Sequence, residues 1–586
     1  MLKGLWFFCS FGWKTDKRYI LWNVIHQIVN SVLPIVATIM PRSIIDELVG
    51  ARRMAHLVFY VGILAGYTLV ASCLSTYFFR DGFTRRCRVS AAFDLMLHKN
   101  LADADWENLE NPAFLDLKEK ANKFLYCDWH GFSYLFDCAL TIVGQCVTLF
   151  GIGAIIATLS IPIVLLFVVL VALGAWVEGW ASKHAHRLSL EVVRNQRGWR
   201  YYGELFENVA YGKEIRMNGL GDWLLSRERM YTERCVANLK RQNDFHIKSG
   251  IVGAALTFLQ QCAAYAYLIG RVLSGAITIG GFTMYVGAVT AFAASLRALM
   301  GSIVEIRTYS VYFDALDEYL HVPKRLRASG GKSVPTGGCA IEFRNVSFRY
   351  PGQESYALRN VNLTLRQGEK LSIVGENGAG KTSFVKLLCR LYDPTEGEIL
   401  LNGVNIRDID YDAYVSLLST VFQDFKLFSF FLKENVALSR EVSDRAVEEV
   451  LERVGMSEKL RSLSHDIHTG VYKDFDEAGF EPSGGEGQKI ALARAICRES
   501  SIVILDEPTA ALDPRAEVAM LESFNEMVAG KTAVYISHRL SSARFCDTIA
   551  VFANGEIVER GTHEELLEQN GVYSELFHMQ AQYYRE

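Results

Sequence analysis

The stretch TIVGQCVTLFGIGAIIATLSIPIVLLFVVLVALGAW, residues 141–176, contains no charged side chain. A helix crosses the hydrocarbon core of a bilayer with about twenty apolar residues, so this run is long enough for two crossings joined by a short turn at ATLSIP. Comparable texture near 20–41, 56–79, 251–274 and 279–303 brings the candidate spans to six, with 132–157 and 160–181 drawn from the long run. Half of the 586 residues are hydrophobic and the mean hydropathy is +0.13. That average hides a split: the apolar runs are confined to roughly the first 310 residues, and the rest reads as α/β.

The loops sort by charge. Arg80, Arg85, Arg86, Arg88, Lys99, Lys118 and Lys120 follow the second span, and Lys183, Arg187, Arg194, Arg197, Arg200, Lys213 and Arg216 follow the fourth. The alternate loops are short and carry few cations. The positive-inside rule then places both long loops and both termini in the cytoplasm of a multi-pass cell-membrane protein. Both loops keep a helical texture, which suggests spans that continue as helices beyond the bilayer, with turns at DADWENLENPAF and MNGLGDW. Asn23, Gln27, Asn30 and Pro34 share one face of the first span; a wet translocation path and interhelical packing both account for them. Gln145, Glu178, Gln260, Gln261 and Arg297 pose the same alternative.

The N-terminal segment lacks a small-residue cleavage site, so the expectation is a segment lying on the membrane with Trp6, Phe7, Phe8 and Trp13 as interfacial anchors. The twelve cysteines form no CxxC pair and read as small buried hydrophobes. A net charge of −4 gives no support for a nucleic-acid partner.

After a polar, glycine-rich linker at 321–338, strand-like alternation begins at AIEFRNVSFRY, and LSIVGENGAGKTSFVKLLCRLY follows. This is a complete G-x-x-x-x-G-K-T loop between an apolar strand and an amphipathic helix. Gly375, Glu376, Asn377, Gly378, Ala379, Gly380, Lys381, Thr382 and Ser383 form the expected nucleotide cradle. The glycines let backbone amides approach the phosphates, Lys381 reaches the terminal ones, and Thr382 can bind magnesium. Further on, SIVILDEPTAALD is an apolar strand ending in two carboxylates, Asp506 for magnesium and Glu507 to orient or deprotonate the attacking water.

PSGGEGQK, residues 482–489, opens a helix. Taken alone it favours a capping box, Ser483 with Glu486 three residues on, because serine–glycine turns are common; the alternative is a phosphate site of bare amides at a helix N-terminus.

The order P-loop, VFQDF, PSGGEGQK, VILDEPTAALD and YISHR resembles the ATP-binding cassette (ABC) ATPases. With six preceding spans, nearly the whole chain resembles an ABC exporter half-transporter. The expected fold is an all-α six-helix transmembrane domain with long cytoplasmic helical extensions (1–320), the linker (321–338) and an α/β P-loop ATPase domain (339–586).

The resemblance implies ATP and Mg2+ as cofactors. It implies that Tyr350 stacks on adenine, that Gln423 links magnesium and the attacking water to the membrane domain, and that His538 contacts the γ-phosphate. Asp513 would lie in the loop joining two sites, and the turns near 103–114 and 212–223 would dock on ATPase domains. Ser483, Gly484, Gly485 and Glu486 would face ATP held by a second half, so the implied partners are a second half-transporter (a homodimer is favoured), membrane lipid and a transported substrate. The family's LSGGQ is replaced here at Pro482 and Glu486, and Ala510 stands where serine is frequent. A carboxylate facing ATP is expected to repel it unless it points elsewhere.

The implied function is ATP-driven export of an amphipathic small molecule, lipid or peptide by alternating access. An ATP-gated channel and a dedicated peptide exporter without leader cleavage are the alternatives. Leader cleavage would need a cysteine protease domain ahead of the first span, where only about twenty residues stand, far below domain size. A soluble ABC ATPase is excluded by the spans.

Overall fold

The computed structural model describes residues 2–126, 134–159, 169–170, 172–174, 176–181, 184, 198–328, 330–335, 338–508, 528–537 and 540–582. They divide into two compact units: Met1–Ala102 with Ala113–Val322, and Asp103–Pro112 with Pro323–Glu586.

The first unit is helical: α1 (Leu2–Thr15), α2 (Lys17–Val49), α3 (Met54–Ala102), α4 (Tyr134–Ala157), α5 (Gly221–Leu273) and α6 (Ile279–Leu320) are its long elements. Asp16 starts α2 by accepting from the amides of Arg18 and Tyr19, and it also takes Arg85 of α3 at 3.0 Å. All of these except α1 are long and apolar enough to cross a membrane. Half of the expected span at 160–181 lies outside the described residues. At 1.5 Å per residue, α3 and α5 are each roughly 70–80 Å long, more than twice the hydrocarbon thickness, so much of each stands outside the bilayer.

Two expectations resolve here. Phe8 is fully buried, stacking with Phe136, and Phe7 packs against Phe93 and Phe313, so these rings are core rather than interfacial anchors. Trp6 and Trp13 remain exposed. On α2, a Cβ at Gly144 of α4 would lie 2.0 Å from Gln27 Nε2 and 2.5 Å from Ser31 Oγ. Thr148 donates to the Ser31 carbonyl at 2.9 Å, and the His26 ring meets Ser75 of α3 at 3.0 Å. Gln27 therefore packs helix on helix, with glycine providing the close approach.

The second unit holds two sheets. β1 (Ile341–Phe348), β2 (Leu358–Leu365), β4 (Glu396–Leu401) and β5 (Val404–Asn405) form an antiparallel sheet in the order β2-β1-β4-β5. β3 (Lys370–Gly375), β6 (Leu418–Val421), β7 (Ile502–Asp506), β8 (Thr532–Ile536), β9 (Thr548–Ala553) and β10 (Glu556–Gly561) form the other, in the order β10-β9-β3-β8-β7-β6. All neighbours in it run parallel except β10, antiparallel at the edge. β7 and β8 are buried at every position, as strands covered on both faces must be, which is why their sequences are continuous apolar runs. The linker stretch is not featureless: Arg325–Ala328 is a helical turn and Lys332 bridges Ile409.

Candidate functional site

The site grows from the C-terminal ends of β3 and β7. After β3 the chain turns through the P-loop into α7 (Lys381–Leu388). Gly375 (φ 149°) and Gly380 (φ 105°) hold backbone that favours glycine, and both are crowded: a Cβ on Gly375 would lie 2.3 Å from the Phe552 carbonyl oxygen. Lys381 is 6% exposed, and its Nζ donates to the carbonyls of Gly375 and Glu376 at 2.7 and 2.8 Å. Burial lowers its pKa, against the pull of Glu507 and Asp506. Glu376, Asn377, Gly378 and Thr382 are exposed around it, while Ala379 is buried.

β7 delivers Asp506, 5% exposed, and the next residue, Glu507, takes φ 50°, a left-handed conformation uncommon outside glycine. Such strain concentrates at functional sites. Burial, then the neighbouring Glu507, pushes the Asp506 carboxyl up to about 6, with Lys381 opposing. Gln423, just beyond β6, donates from Nε2 to Glu507 Oε2 at 2.7 Å. The structure thus brings Lys381, Asp506, Glu507 and Gln423 into one cluster.

Tyr350 joins from the other sheet. Its hydroxyl meets Ser383 Oγ at 3.0 Å, and Lys386 Nζ stands 5.1 Å from its ring centroid. Lys386 also donates to Glu110 at 3.0 Å, and the Tyr392 hydroxyl donates to the same carboxylate. Glu110 belongs to the Asp103–Pro112 segment, whose turn Trp106–Leu109 is one of the two expected docking turns. The other, Gly212–Met217, is an exposed helix. Lys386 and Glu110 gave no signal in sequence, being 276 positions apart.

Ser483 caps α9 (Gly484–Cys497): its hydroxyl accepts the Glu486 amide at 3.3 Å, and Glu486 Oε2 accepts the Ser483 amide at 2.7 Å. The capping box is therefore present. Lys459, on α8 (Ser457–Ser462), meets the other Glu486 oxygen at 3.0 Å. Burial opposes ionisation of Glu486, but the Ser483 amide and Lys459 prevail and hold its carboxyl below the usual range. Among the described residues, no hydrogen bond links Ser483, Gly484, Gly485 or Glu486 to the P-loop. Through Ile490 and Leu492, α9 packs in a second core with Val447 and Leu451, whereas the P-loop helix packs through Phe384 with Phe343 and Phe552. His538 and Asp513 lie outside the described residues, as does Ala510.

A buried parallel sheet, a glycine loop with its lysine, and paired carboxylates at a strand end define a P-loop nucleotide-binding ATPase. A family model described as ABC transporter matches residues 358–510. The subtilin transport ATP-binding protein of Bacillus subtilis is 29% identical over 94% of this chain and 90% of its own length. The nisin transport ATP-binding protein of Lactococcus lactis is 25% identical over 96% and 94%, and an ATP-dependent lipid A-core flippase of Bordetella avium is 29% identical over 83% and 80%. The solved structure of a bacterial Atm1-family ABC exporter with ATP bound superposes with a TM-score of 0.81 at 20% identity, covering 96% of this chain and 98% of that one. The chain belongs to the ABC transporters and has the exporter fold: apolar helices followed by one ATP-binding domain. It is a multi-pass membrane protein that binds ATP and couples its hydrolysis to export.

Proposed function

We propose that the chain is one of two halves that export an amphipathic small molecule, lipid or peptide across the cytoplasmic membrane by alternating access, with both termini and the ATPase domain in the cytoplasm. Within each chain the membrane and ATPase domains divide near residues 320–338, and two copies of this chain form the working unit. The observation that carries an active pump is the Gln423–Glu507 hydrogen bond beside buried Lys381 and Asp506.

In this reading Glu507 accepts the proton of the attacking water, Gln423 holds that carboxylate in place, and Lys381 neutralises the terminal phosphates. Its present carbonyl partners are neutral acceptors that a phosphate can replace. The P-loop residues 375–383 hold the phosphates, Tyr350 stacks on adenine, Ser483, Gly484, Gly485 and Glu486 face the nucleotide of the second half, and His538 contacts its γ-phosphate. Mg2+ fits the all-oxygen donors of Thr382, Gln423 and Asp506, and Asp506, its pKa raised to about 6 by burial, is still a carboxylate at neutral pH and suited to a cation. Bound there, Mg2+ would supply charge for the phosphate oxygens.

A peptide is the favoured cargo, because relatives named for subtilin and nisin transport match nearly end to end. A cavity of about 270 Å³ in the helical unit supports an amphipathic ligand: Gly250, Gly253 and Leu256 leave apolar room beside Ser249, Gln260, Glu178 and Arg297. Gln260 Nε2 is buried there with no hydrogen-bond partner among the described residues. The test is ATP turnover of the purified protein in lipid nanodiscs, titrated with amphipathic cationic peptides and, separately, with added phospholipid. Peptide-stimulated turnover with ATP-dependent uptake into inverted vesicles is expected. Flux that continues without hydrolysis would instead identify a gated channel.

A further inference from the structure

Glu486 sets the problem. It stands in the first turn of α9, within the amide-rich stretch that the proposed function turns toward ATP, where an uncompensated carboxylate would oppose phosphate charge. Its carboxylate is held from two sides: one oxygen accepts the Ser483 amide at 2.7 Å, and the other meets Lys459 Nζ at 3.0 Å. Lys459 is itself held, its ammonium 5.1 Å from the centroid of the Phe480 ring. Its side chain is 29% exposed and that of Glu486 25%, so the pair is shielded more than a fully solvated surface pair.

We propose that Lys459 is a positioning residue of this phosphate-facing turn: its ammonium cancels the Glu486 carboxylate, so that the amides and helix N-terminus of α9 present a positive face to ATP held by the second half. This rests on the reading that the turn meets a nucleotide across a dimer interface. Glu486 then keeps its structural task, satisfying the Ser483 amide, without the electrostatic penalty expected from the sequence. The positive end of the helix dipole is left to act on the phosphates.

The proposal predicts a pattern of signs. Lys459→Met leaves one net negative charge at the turn and should weaken ATP-dependent closure. Glu486→Gln leaves one net positive charge and should strengthen it. The double variant restores neutrality and should return close to the parent. The experiment uses the full chain in nanodiscs carrying Glu507→Gln, and measures ATP retained after rapid desalting as a function of ATP concentration. Lys459→Met should raise the midpoint about threefold or more, the scale of one charge acting across a hydrated gap. Lys459→Arg should restore it, and in the Glu486→Gln background Lys459→Met should bring the lowered midpoint back to about the parental value.

A purely structural role gives a different result. If Lys459 serves through packing on Phe480, Lys459→Met lowers the melting temperature equally in both backgrounds and leaves the midpoint alone, which overturns the proposal. Lys459→Gln, which keeps most of the stem, gives the same reading if the methionine variant fails to fold. A control separates this proposal from the reading beneath it. If Gly485→Asp retains ATP like the parent, the cross-interface reading itself fails. If Gly485→Asp abolishes retention while the Lys459 cycle is flat, that reading stands and the role of Lys459 falls.

Discussion

Asp506 and Glu507 are neighbours in sequence with opposite environments. The first ends a buried strand with its carboxyl pushed up to about 6 by burial and by Glu507; the second turns out through a left-handed backbone to Gln423. Different tasks follow, and so do different variants. Glu507→Gln should retain ATP binding and cut turnover by at least about a hundredfold, the usual effect of removing a positioned base. Hydrolysis near the parental rate would remove Glu507 from that role. For Asp506 the measurable quantity is stability without nucleotide. An unfolded aspartate titrates near 3.9, so the folded state holds this proton more tightly. The stabilising contribution is full below about pH 4 and is lost as pH rises through about 6. Two pKa units correspond to about 2–3 kcal/mol. Asp506→Asn, which cannot ionise, should therefore melt higher than the parent at pH 7.5 by a few degrees, with the advantage shrinking toward pH 5. A difference in melting temperature that does not change between those pH values would show that Asp506 is not the group titrating.

At the scale of elements, what was legible in sequence is what is local. The P-loop reads from its spacing because strand, glycine turn and helix are contiguous, and the capping box at Ser483 and Glu486 reads for the same reason. Periodicity found the polar face of α2 but not its neighbour. Gln27 could line a path or pack on a helix until Gly144 was seen to admit it. The Lys459–Glu486 pair joins two helices with no shared pattern, and Glu110 reaches Lys386 and Tyr392 from far along the chain. Residue type also misplaced Phe7 and Phe8, because an aromatic run near a terminus looks alike whether lipid or protein covers it. The α2–α4 contact can be tested directly. Gly144→Leu must displace Gln27 and Ser31, and overpacking of this kind costs about 1–3 kcal/mol. Thermal melting in detergent should fall accordingly, while Gly66→Leu, where a Cβ meets nothing within 4 Å, should leave it unchanged. Equal melting of both variants would mean that α2 and α4 do not pack as described.

At the scale of the whole molecule, the P-loop and the Ser483 turn, proposed to act on one nucleotide, stand in different cores of the ATP-binding unit, and no hydrogen bond joins them among the described residues. If both act on one ATP, a second polypeptide must bring its Ser483 turn to the first chain's P-loop, and the converse must hold by symmetry. Each copy has Lys381, Asp506, Glu507 and Gln423, so two identical copies make two complete sites, which is the reason to favour a homodimer. Native mass measurement of the purified, hydrolysing complex should give twice 65.8 kDa plus bound lipid. Copies carrying two different tags should co-purify when expressed together. A mixture of parent and Lys381→Ala chains then adds a finer test: if one disabled P-loop in a mixed dimer leaves the other site to bind, ATP retention should fall in proportion to the share of disabled chains, whereas a steeper fall would show that retention needs both sites. Turnover by a species of 65.8 kDa would defeat the two-site arrangement. A chain that hydrolyses ATP only after a different half is added would keep that arrangement and replace the homodimer with a heterodimer.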